Sequence, residues 1–315
     1  MSEQHIFGDE IVGDSLLIKR ELEFIRKVAQ SDKSILILGE TGTGKELAAR
    51  KIHNLSERRG RPFVAINCAD IPEELFEAEL YGFEKGSFTG AIREKQGLLE
   101  TAQNGTVFLD EIGELSLNLQ AKLLRVIDQK EVRRVGETST RTIGARFVFA
   151  TNKDLKEEVK LGRFRRDLYY RVGVVKFCIP PLRNRKEDVA LLVQFILRKE
   201  NSKSGVEKGI TSAALEKLMT YHFPGNVREL ENIVERAYLL SEDSGIDEED
   251  IRFDYELNNG TPDPGLSREH LRQILEHCRW NKTRAASELG TSRRQFYRLL
   301  EKYRLTECIR RTYLL

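Results

Sequence analysis

The segment from Gly39 to Glu46 has the residue types and the glycine spacing of a polyphosphate-binding loop. It follows an apolar run at residues 34–38, which predicts a buried parallel strand, and it precedes a helical pattern at residues 47–55. Its glycines let the backbone wrap around phosphate groups, with N–H groups and a helix N-terminus facing the oxygens. Lys45 is expected to contact the β- and γ-phosphates. The predicted nucleotide-binding residues of this loop are Gly39, Glu40, Thr41, Gly42, Thr43, Gly44, Lys45 and Glu46.

The last position of this phosphate loop departs from the usual pattern. A Ser or Thr there normally ligates Mg²⁺, and Glu46 replaces it, so the metal must depend more on another carboxylate and on water. Residues 106–109 predict a strand, and Asp110 and Glu111 follow it directly. We expect Asp110 to hold Mg²⁺, directly or through water, and Glu111 to orient and polarise the attacking water. A glycine-rich turn or an acidic pair alone is a weak signal, whereas together they predict nucleotide hydrolysis.

Two asparagines also follow predicted strands. Asn67 lies near the end of a second predicted buried strand at residues 62–68, and Asn152 ends a central strand that begins at residue 146. Ligand sites of open α/β sheets lie at the carboxyl ends of the strands, so Asn67 is a candidate for the nucleotide crevice. Asn152 is placed to sense a γ-phosphate or to position water.

Arginines at two places are candidates for contact with the phosphates. The first place, residues 162–171, includes Arg165 and Arg171. Guanidinium groups stabilise charge on a transferring phosphoryl group, often from a neighbouring subunit. A basic surface patch, or ion pairs with nearby acids, fits the same spacing. Arg228 lies in the first turn of a predicted helix, where a positive charge is unfavourable unless an anion is near. That favours contact with nucleotide, and a local ion pair is the alternative.

Residues 81–91 place several glycines around one Phe and one Thr. Neither a core strand nor a helix tolerates so many glycines. The composition fits a mobile loop with Phe88 at its tip. It fits a hairpin turn with Phe88 packed into the core equally well.

Composition limits the class of protein. At 315 residues, with 40% hydrophobic and 32% charged residues, the chain is long enough for two or three globular domains. Its apolar runs fall far short of the ~20 residues that span a bilayer, and no secretory signal opens the sequence. The four cysteines lack metal-ligand spacing, and the five histidines form no ligand pair. We expect reduced thiols, a cytoplasmic location and no membrane contact.

The net charge of +2 hides a difference between two segments. Residues 241–260 contain eight acidic residues and one Arg, whereas residues 261–315 contain twelve Lys or Arg and six acidic residues. A basic end that follows an acidic connector predicts a nucleic-acid-binding tail.

Three helices are predicted in this tail. Ser267 is the expected N-cap of the first, the second opens at residues 281–283, and the third covers residues 293–303. The positions predicted to face inward are Leu271, Ile274, Leu275, Cys278, Ala285, Ala286, Leu289, Phe296, Leu299 and Leu300. Two short helices joined by a glycine turn, the second of them basic, indicate a helix-turn-helix. A three-helix unit without a DNA role is the alternative. The predicted DNA-contacting residues are Arg293, Arg294, Gln295, Tyr297 and Arg298.

Pro180 and Pro181 mark the expected end of the α/β part, and no strand is predicted beyond them. Helical patterns at residues 187–200, 212–221 and 226–240 predict a small helical domain.

Taken together, these residues resemble the AAA+ activators of sigma-54 RNA polymerase, the bacterial enhancer-binding proteins. The likeness extends over residues 11–305. Residues 39–46 match the family's Walker A motif, including its final Glu, and residues 109–111 match its Walker B motif. The residues that resemble the family's sigma-54-contacting loop are Gly86, Ser87, Phe88, Thr89, Gly90 and Ala91, with Ser87 where Ala is commoner.

The resemblance implies roles for individual residues. Asn67 is similar to the residue that restrains the catalytic Glu, Asn152 falls at sensor I, and Arg228 falls at sensor II. Arg165 and Arg171 fall at the arginine-finger pair. The tail at residues 281–304 is similar to the Fis-type helix-turn-helix.

The implied fold is an α/β AAA+ P-loop NTPase with a parallel sheet and a helical lid, followed by a small all-α helix-turn-helix domain. The expected parts are an N-terminal tail (1–10), an α/β nucleotide-binding subdomain (11–179), a helical lid (180–250), a linker (251–265) and the helix-turn-helix domain (266–315). Ile11 and Val12, at the start of the α/β part, are further expected nucleotide contacts.

The implied function is ATP-driven transcription activation with ATP and Mg²⁺ as cofactors. A dimerising tail binds upstream double-stranded DNA, and the ATPase domains form a ring that is hexameric by resemblance. Hydrolysis then moves Phe88 and Thr89 against sigma-54 in the RNA polymerase holoenzyme. The family usually carries an N-terminal receiver or sensing domain. None precedes residue 11 in this sequence, so we expect a regulator in trans or a truncated chain.

Two other functions are alternatives. The first is a DNA-bound regulator of the same fold that acts without sigma-54, and the intact loop at residues 86–91 argues against it. The second is a AAA+ motor that translocates DNA or unfolds protein, and the Fis-type tail argues against it.

Overall fold

A computed structural model describes residues 11–88, 91–241 and 245–253, together with eight positions of the C-terminal part. Those positions are Leu271, Arg272, Ile274, Leu275, Cys278, Ala285, Phe296 and Leu300. The chain divides into two compact units after Arg252.

The first unit begins with alternating strands and helices. In chain order these are α1 (Leu16–Ala29), β1 (Ile35–Leu38), α2 (Lys45–Asn54), β2 (Phe63–Asn67), α3 (Glu73–Tyr81), β3 (Gly82–Phe83), β4 (Lys95–Gln96), α4 (Leu98–Thr101), β5 (Thr106–Asp110), α5 (Leu117–Gln129), β6 (Glu131–Val132), β7 (Arg141–Thr142), β8 (Arg146–Thr151), α6 (Leu155–Lys160), α7 (Arg166–Val172) and β9 (Val175–Cys178). The remaining elements of this unit are α8 (Asp188–Ser204), β10 (Gly209–Ile210), α9 (Ser212–Thr220), α10 (Asn226–Leu240) and β11 (Gly245–Ile246).

Five of the strands form one parallel sheet in the order β2-β5-β8-β1-β9, which confirms the predicted parallel α/β sheet. The register places the strand ends side by side. Leu38 at the end of β1 pairs with Thr151 of β8 and with Cys178 of β9, and Asn67 pairs with Asp110. The loops that leave these ends therefore converge at one edge of the sheet, where α/β proteins bind ligands.

The sheet is covered on both faces. Every residue of β8 is buried, and successive side chains point to opposite faces of a strand. Phe147 and Phe149 accordingly pack into one apolar cluster with α3 and α5, whereas Val148 and Ala150 pack into the other with α1 and α2. This double burial explains why the strands read as continuous apolar runs.

Arg146, at the start of β8, ties the sheet to the end of α1. Its buried guanidinium donates to the carbonyls of Ala29 (2.7 Å), Val28 (2.8 Å) and Lys33 (3.3 Å). The last carbonyls of a helix lack partners within the helix, so this side chain satisfies acceptors that would otherwise be buried alone. Burial lowers the pKa of Arg146 to about 10.

At the edges of the sheet, one prediction is wrong and one strand was not predicted. The predicted buried strand at residues 62–68 is the edge strand β2, in which Ala65 is exposed and Phe63 is only half-buried. It has a single neighbour, β5, and therefore less cover. At the opposite edge, β9 was not expected from the sequence, because Lys176 and Cys178 are exposed and interrupt its apolar run.

The helical part after Pro181 contains the three expected helices α8, α9 and α10. The prediction that no strand follows the prolines is wrong, because β10 and β11 form a parallel ladder that pairs Gly209 with Gly245 and Ile210 with Ile246. A two-residue strand is too short to give a periodic pattern.

In the second unit, six positions that were predicted to face inward are buried. They are Leu271, Leu275, Cys278, Ala285, Phe296 and Leu300. The predicted N-cap Ser267 and the predicted DNA-contacting residues Arg293, Arg294, Gln295, Tyr297 and Arg298 lie outside the described residues. Within the described part of the chain, no helix has both the length and the apolar character that crossing a membrane requires.

Candidate active site

The phosphate loop connects β1 to α2, as its sequence context predicts. Gly44 precedes α2 with a φ of +99°, and Gly42 has a φ of +78°, which are left-handed conformations that glycine adopts without strain. Helix α2 starts at Lys45, whose side chain is only 6% exposed. The loop therefore directs Lys45 and a helix N-terminus toward the same space.

Lys45 lies between the phosphate loop and the Walker B carboxylates. Its ammonium donates to Glu111 Oε1 (3.1 Å) and to the carbonyl of Gly39 (3.2 Å). The other oxygen of Glu111 accepts from the backbone N–H of Asn152 (3.1 Å), and the Asn152 amide donates to Thr41 Oγ1 (3.1 Å). Residues that follow β1, β5 and β8 thus meet in one hydrogen-bonded chain.

Glu111 holds a backbone conformation that is rare for a residue with a side chain. Its φ is +51°, and its N–H donates to Asp110 Oδ1 at 2.9 Å. Such strain persists only where surrounding contacts impose it, and it concentrates at functional sites. Here it turns the Glu111 carboxylate back toward Lys45 and Asn152.

Asp110 lies at the end of β5 and is partly buried. Burial raises the pKa of this carboxyl, while the Lys45 charge acts in the opposite direction and the Glu111 charge raises it further. The neighbouring Cys68 is buried, and its burial raises the pKa of the thiol to about 12. A cation placed beside Asp110 and Glu111 would relieve their mutual repulsion.

A cleft of about 710 Å³ opens beside these residues. One wall is apolar and comes from the segment before α1, from the chain after β9 and from α8: Ile11, Val12, Ile179, Leu192, Phe195 and Ile196. The other wall holds the phosphate loop, Asp110, Glu111 and the helix α10 residue Arg228. The expected nucleotide contacts Ile11, Val12 and Arg228 therefore share one cleft with Lys45.

Two carboxylates of the phosphate loop are engaged by arginines. Glu40 forms two hydrogen bonds with Arg183 (2.5 and 2.7 Å), and Glu46 pairs with Arg50 (2.8 Å). Glu46 lines the cleft at the position where a Ser or Thr usually ligates Mg²⁺. Among the described residues, no group of three or more His, Cys, Asp or Glu side chains is arranged to hold a metal ion.

Asn67 makes contacts different from those that the resemblance implies. Its amide donates to Asp70 (2.8 Å), and its oxygen accepts from the N–H of Ala69 (3.1 Å). In this structure Glu111 is held by Lys45 and by the N–H of Asn152 instead. Asn67 nevertheless pairs in register with Asp110 across β2 and β5, one residue from Glu111.

The two finger candidates lie at α7 and do not line the cleft. Arg165 pairs with Asp167 (2.7 Å), and Arg171 pairs with Asp128 (2.7 Å). These are the ion pairs that the sequence left open as an alternative. Arg165 lines a separate surface hollow with Arg166, Asp167 and Tyr170.

The loop at residues 86–91 lies between β3 and β4, which pair as a short hairpin. Phe88 is 42% exposed, and its ring packs edge-on against Phe83 at a centroid distance of 4.9 Å. It is therefore neither buried in the core nor free at a tip. Ser87 Oγ is buried without a hydrogen-bond partner among the described residues. Thr89 and Gly90 lie outside them.

A charge cluster supports the base of this loop. Arg134, between β6 and β7, donates to both oxygens of Glu100 (2.8 and 2.9 Å) and to Glu84 (3.1 Å). The Arg134 guanidinium lowers the pKa of Glu100. The cluster connects the β3–β4 hairpin, which contains the loop, to the β6–β7 hairpin.

Sequence reasoning missed four site residues that come from the lid or its connection. Arg183 and Arg185 follow the two prolines, Asn226 begins α10, and Lys199 lines the cleft from α8. Arg185 is 1% exposed and lies within 3.7 Å of Asp188. Two arginines directly after a predicted domain edge, close to a phosphate loop, were the available signal.

Comparison with known proteins identifies the family of this chain. Residues 11–178 match the family model described as "Sigma-54 interaction domain", residues 183–267 match "AAA+ ATPase lid domain", and residues 266–303 match "Bacterial regulatory protein, Fis family". The first match alone covers more than half of the chain. The chain belongs to the sigma-54-dependent activators.

Individual relatives agree with this family. A Nif-specific regulatory protein of Klebsiella pneumoniae is 45% identical over 303 residues, which cover 92% of this chain and 58% of that protein. The response regulator PilR of Pseudomonas aeruginosa is 44% identical, with coverage of 95% and 71%. This activator chain thus spans little more than half the length of the Nif-specific regulator.

A solved structure agrees as well. NtrX from Brucella abortus, in complex with ATP, superposes with a TM-score of 0.72 at 31% identity and covers 93% of this chain and 69% of that one. The fold of this activator is therefore a AAA+ domain with a parallel sheet and a helical lid, followed by a C-terminal helix-turn-helix.

Proposed function

We propose that this chain hydrolyses ATP with Mg²⁺ and uses the energy to convert a closed sigma-54 RNA polymerase complex into an open one. The observation that carries the proposal is the hydrogen-bonded chain from Thr41 through Asn152 and Glu111 to Lys45. It joins the phosphate loop to the carboxylate of Glu111, whose backbone has a positive φ, inside the cleft. The same α/β part carries the loop at residues 86–91 and belongs to an activator family.

The residues of the cleft fit a nucleotide and a magnesium ion. The left-handed glycines leave a concave backbone, Lys45 supplies a buried positive charge, and the apolar wall suits an adenine ring. Asp110 would hold the metal, directly or through water. Bound magnesium would supply positive charge to the phosphoryl oxygens during transfer.

Each protein group then has a distinct task. Glu111 orients and polarises the attacking water, and its release from Lys45 is required because Lys45 must turn to the phosphates. Asn152 reports the γ-phosphate position, since it contacts both Thr41 and Glu111. Asn67 restrains Glu111 in another nucleotide state. Arg228 contacts nucleotide from the lid.

The remaining parts of the proposal concern partners. Arg165 and Arg171 serve the active site of a neighbouring subunit in a ring, hexameric by resemblance, that assembles from dimers. Residues 86–91 contact sigma-54, and the tail binds upstream double-stranded DNA through Arg293, Arg294, Gln295, Tyr297 and Arg298. The protein acts in the cytoplasm and is controlled by a regulator in trans or by a further domain.

Promoter opening by purified sigma-54 holoenzyme tests the proposal. Phe88→Ala and Thr89→Ala should keep ATP hydrolysis within about twofold of the parent yet abolish permanganate-reactive open complexes, because these side chains grip protein rather than nucleotide. Glu111→Gln should bind ATP but lose about 100-fold or more in turnover, because an amide cannot polarise water.

Holoenzyme with the primary sigma factor is the matched control. The parental protein should not open promoters with it. Opening that does not require sigma-54, or that persists in Phe88→Ala and Thr89→Ala, would favour the sigma-54-independent regulator. Parental turnover by Glu111→Gln would exclude the assigned catalytic carboxylate.

A further inference from the structure

The outer side of the phosphate loop is bound directly by the lid. The carbonyl of Gly42 accepts from the backbone N–H groups of Val227 (3.0 Å) and Arg228 (3.3 Å), both in the first turn of α10. A helix N-terminus leaves such N–H groups without partners, and Gly225, the residue before α10, provides no side-chain cap. The phosphate loop therefore takes the place of the N-terminal cap of α10.

Asn226 adds a second connection. It is fully buried, and its amide donates to the carbonyl of Thr41 (3.0 Å) and to Glu40 Oε2 (3.2 Å), while its oxygen accepts from the N–H of Leu182 (2.8 Å). Its φ of +56° is uncommon for a residue other than glycine. One side chain thus joins the phosphate loop, the chain after the prolines and the start of α10.

The Glu40 carboxylate completes the connection. Arg183 grips both of its oxygens, at 2.5 and 2.7 Å, and Asn226 contacts one of them. These bonds with Arg183 lower the pKa of Glu40. A carboxylate held in this way is directed at the lid and not at a bound polyphosphate, which it would repel.

The surroundings of Gly42 show how closely the phosphate loop and the lid approach each other. A Cβ atom at this position would lie 2.1 Å from the carbonyl oxygen of Gly225 and 3.1 Å from Cβ of Arg228. The carbonyls of Thr41 and Gly42 face the lid, so the N–H groups of the same peptides point away from it, and that of Thr43 donates to the carbonyl of Glu40 at 3.3 Å. The lid thereby shapes the surface that binds phosphate.

We propose that Glu40, Arg183 and Asn226 are positioning residues through which the lid sets the affinity of the phosphate loop for the β-phosphate. This inference deepens the proposed ATP binding and rests on it. None of the three touches nucleotide in this assignment, so Glu40 differs in role from the rest of the loop motif. The coupling is reciprocal, because occupancy of the loop must favour the same lid position.

Binding of a fluorescent N-methylanthraniloyl ADP to the full chain tests this inference. Glu40→Gln and Arg183→Gln should each weaken binding about tenfold, and the double variant should also lose about tenfold, because both substitutions break one connection. Arg183→Lys should recover part of the loss. Asn226→Asp keeps the acceptor for Leu182 but loses both donated bonds, and it should weaken binding at least as much.

A control pair and a competition assay separate positioning from general damage. Glu200 and Lys203 form an ion pair of similar length (2.7 Å) on α8, and Glu200→Gln or Lys203→Gln should leave binding unchanged. Competition by AMP, which lacks a β-phosphate, should be the same in the parent and in every variant. A variant that is only destabilised would lose affinity for AMP and ADP together, and its Tm would fall.

The outcomes that overturn the inference are distinct. If Glu40 contacted phosphate, Glu40→Gln would strengthen binding and Arg183→Gln would weaken it independently, giving additive effects. Equal losses for AMP and ADP, or no loss in any variant, also contradict it. If the parental chain binds no ADP analogue, the proposed function fails, whereas parental binding with unchanged variants overturns this inference alone.

Discussion

At the scale of single residues, the site contains one buried positive charge and two carboxylates, which suits a negatively charged phosphate group bound together with a metal cation. Lys45 and Glu111 neutralise each other at 3.1 Å, and Glu111 is held in a left-handed conformation. Asp110, the last residue of β5, accepts from the N–H of Glu111 and has no basic hydrogen-bond partner among the described residues. Replacing that carboxylate should therefore separate stability from activity.

Asp110→Asn should raise the Tm of the nucleotide-free protein at pH 7 by about 2 °C, a small value because solvent screens a partly exposed charge. Burial raises the pKa of Asp110 above its usual 3.8, so its contribution to stability is complete below that pH and is lost as the pH rises through the higher folded value. The gain should accordingly vanish in scans below pH 3.8. Hydrolysis should fall about 100-fold. A lower Tm at pH 7 would contradict the charge argument.

At the scale of elements, loops and helices are fixed by polar side chains that cross from one element to the next. Arg146 of β8 holds the last carbonyls of α1, and Asp188 of α8 accepts from the N–H groups of Asp14 and Ser15 at the other end of that helix, both at 2.7 Å. Helix α1 is thus anchored at both ends. Its position matters because Ile11 and Val12 precede it in the cleft wall.

Arg146→Met preserves much of the buried volume and removes the donors. It should lower the Tm of the first unit by about 5–10 °C, because three carbonyls lose a buried partner. Arg20→Met, on the exposed side of α1, is the matched control and should leave the Tm unchanged. Similar Tm values for the two variants would show that water replaces the guanidinium at no cost.

At the scale of the whole molecule, the two predicted arginine fingers lie outside the active-site cleft of their own chain. Arg165 and Arg171 line no part of the cleft and are paired with Asp167 and Asp128. Both ion pairs are half-exposed, so they can exchange partners at little cost. The proposed ring would bring these arginines to the cleft of a neighbouring chain.

ATPase activity per chain should therefore rise with protein concentration. Arg171→Ala and Lys45→Ala should each be inactive, and an equal mixture should recover about a quarter of parental activity, since one interface in four pairs an intact pocket with an intact finger. Mixing either variant with itself at the same total concentration is the control. Activity that does not change on dilution, with no recovery in mixtures, would place all catalytic groups within one chain.

The parts of the fold and the site that carry a local sequence motif or a periodic apolar pattern could be predicted from the sequence. The glycine-rich loop between β1 and α2 and the acidic pair at the end of β5 lie where glycine spacing and strand ends predict them, and Ile11 and Val12, which only the resemblance implied, line the same cleft. Strand β2 was predicted, but not as an edge strand, and β9 was not predicted because the exposed Lys176 and Cys178 interrupt its apolar run.

The connections between distant segments could not be predicted. Glu40 and Arg183 are 143 positions apart, and Asn226 contacts Glu40 across 186 positions. No local pattern encodes such pairs, because they depend on how the lid returns to the sheet. The contacts of Asn67 with Asp70 instead of Glu111 likewise depend on the conformation of the site.

The hydrogen bond from Ile179 to the carbonyl of Leu38 (2.8 Å) has a mechanical consequence. It places the start of the lid connection beside the start of the phosphate loop, so the two segments are joined at this point. Helix α8 extends from near this point for 17 residues, about 25 Å. A rotation of roughly ten degrees about its first turn would move its far end by about 4 Å, given a rise of 1.5 Å per residue. A small rotation of α8 near the phosphate loop would therefore become a larger displacement at Ser204, the last residue of the helix.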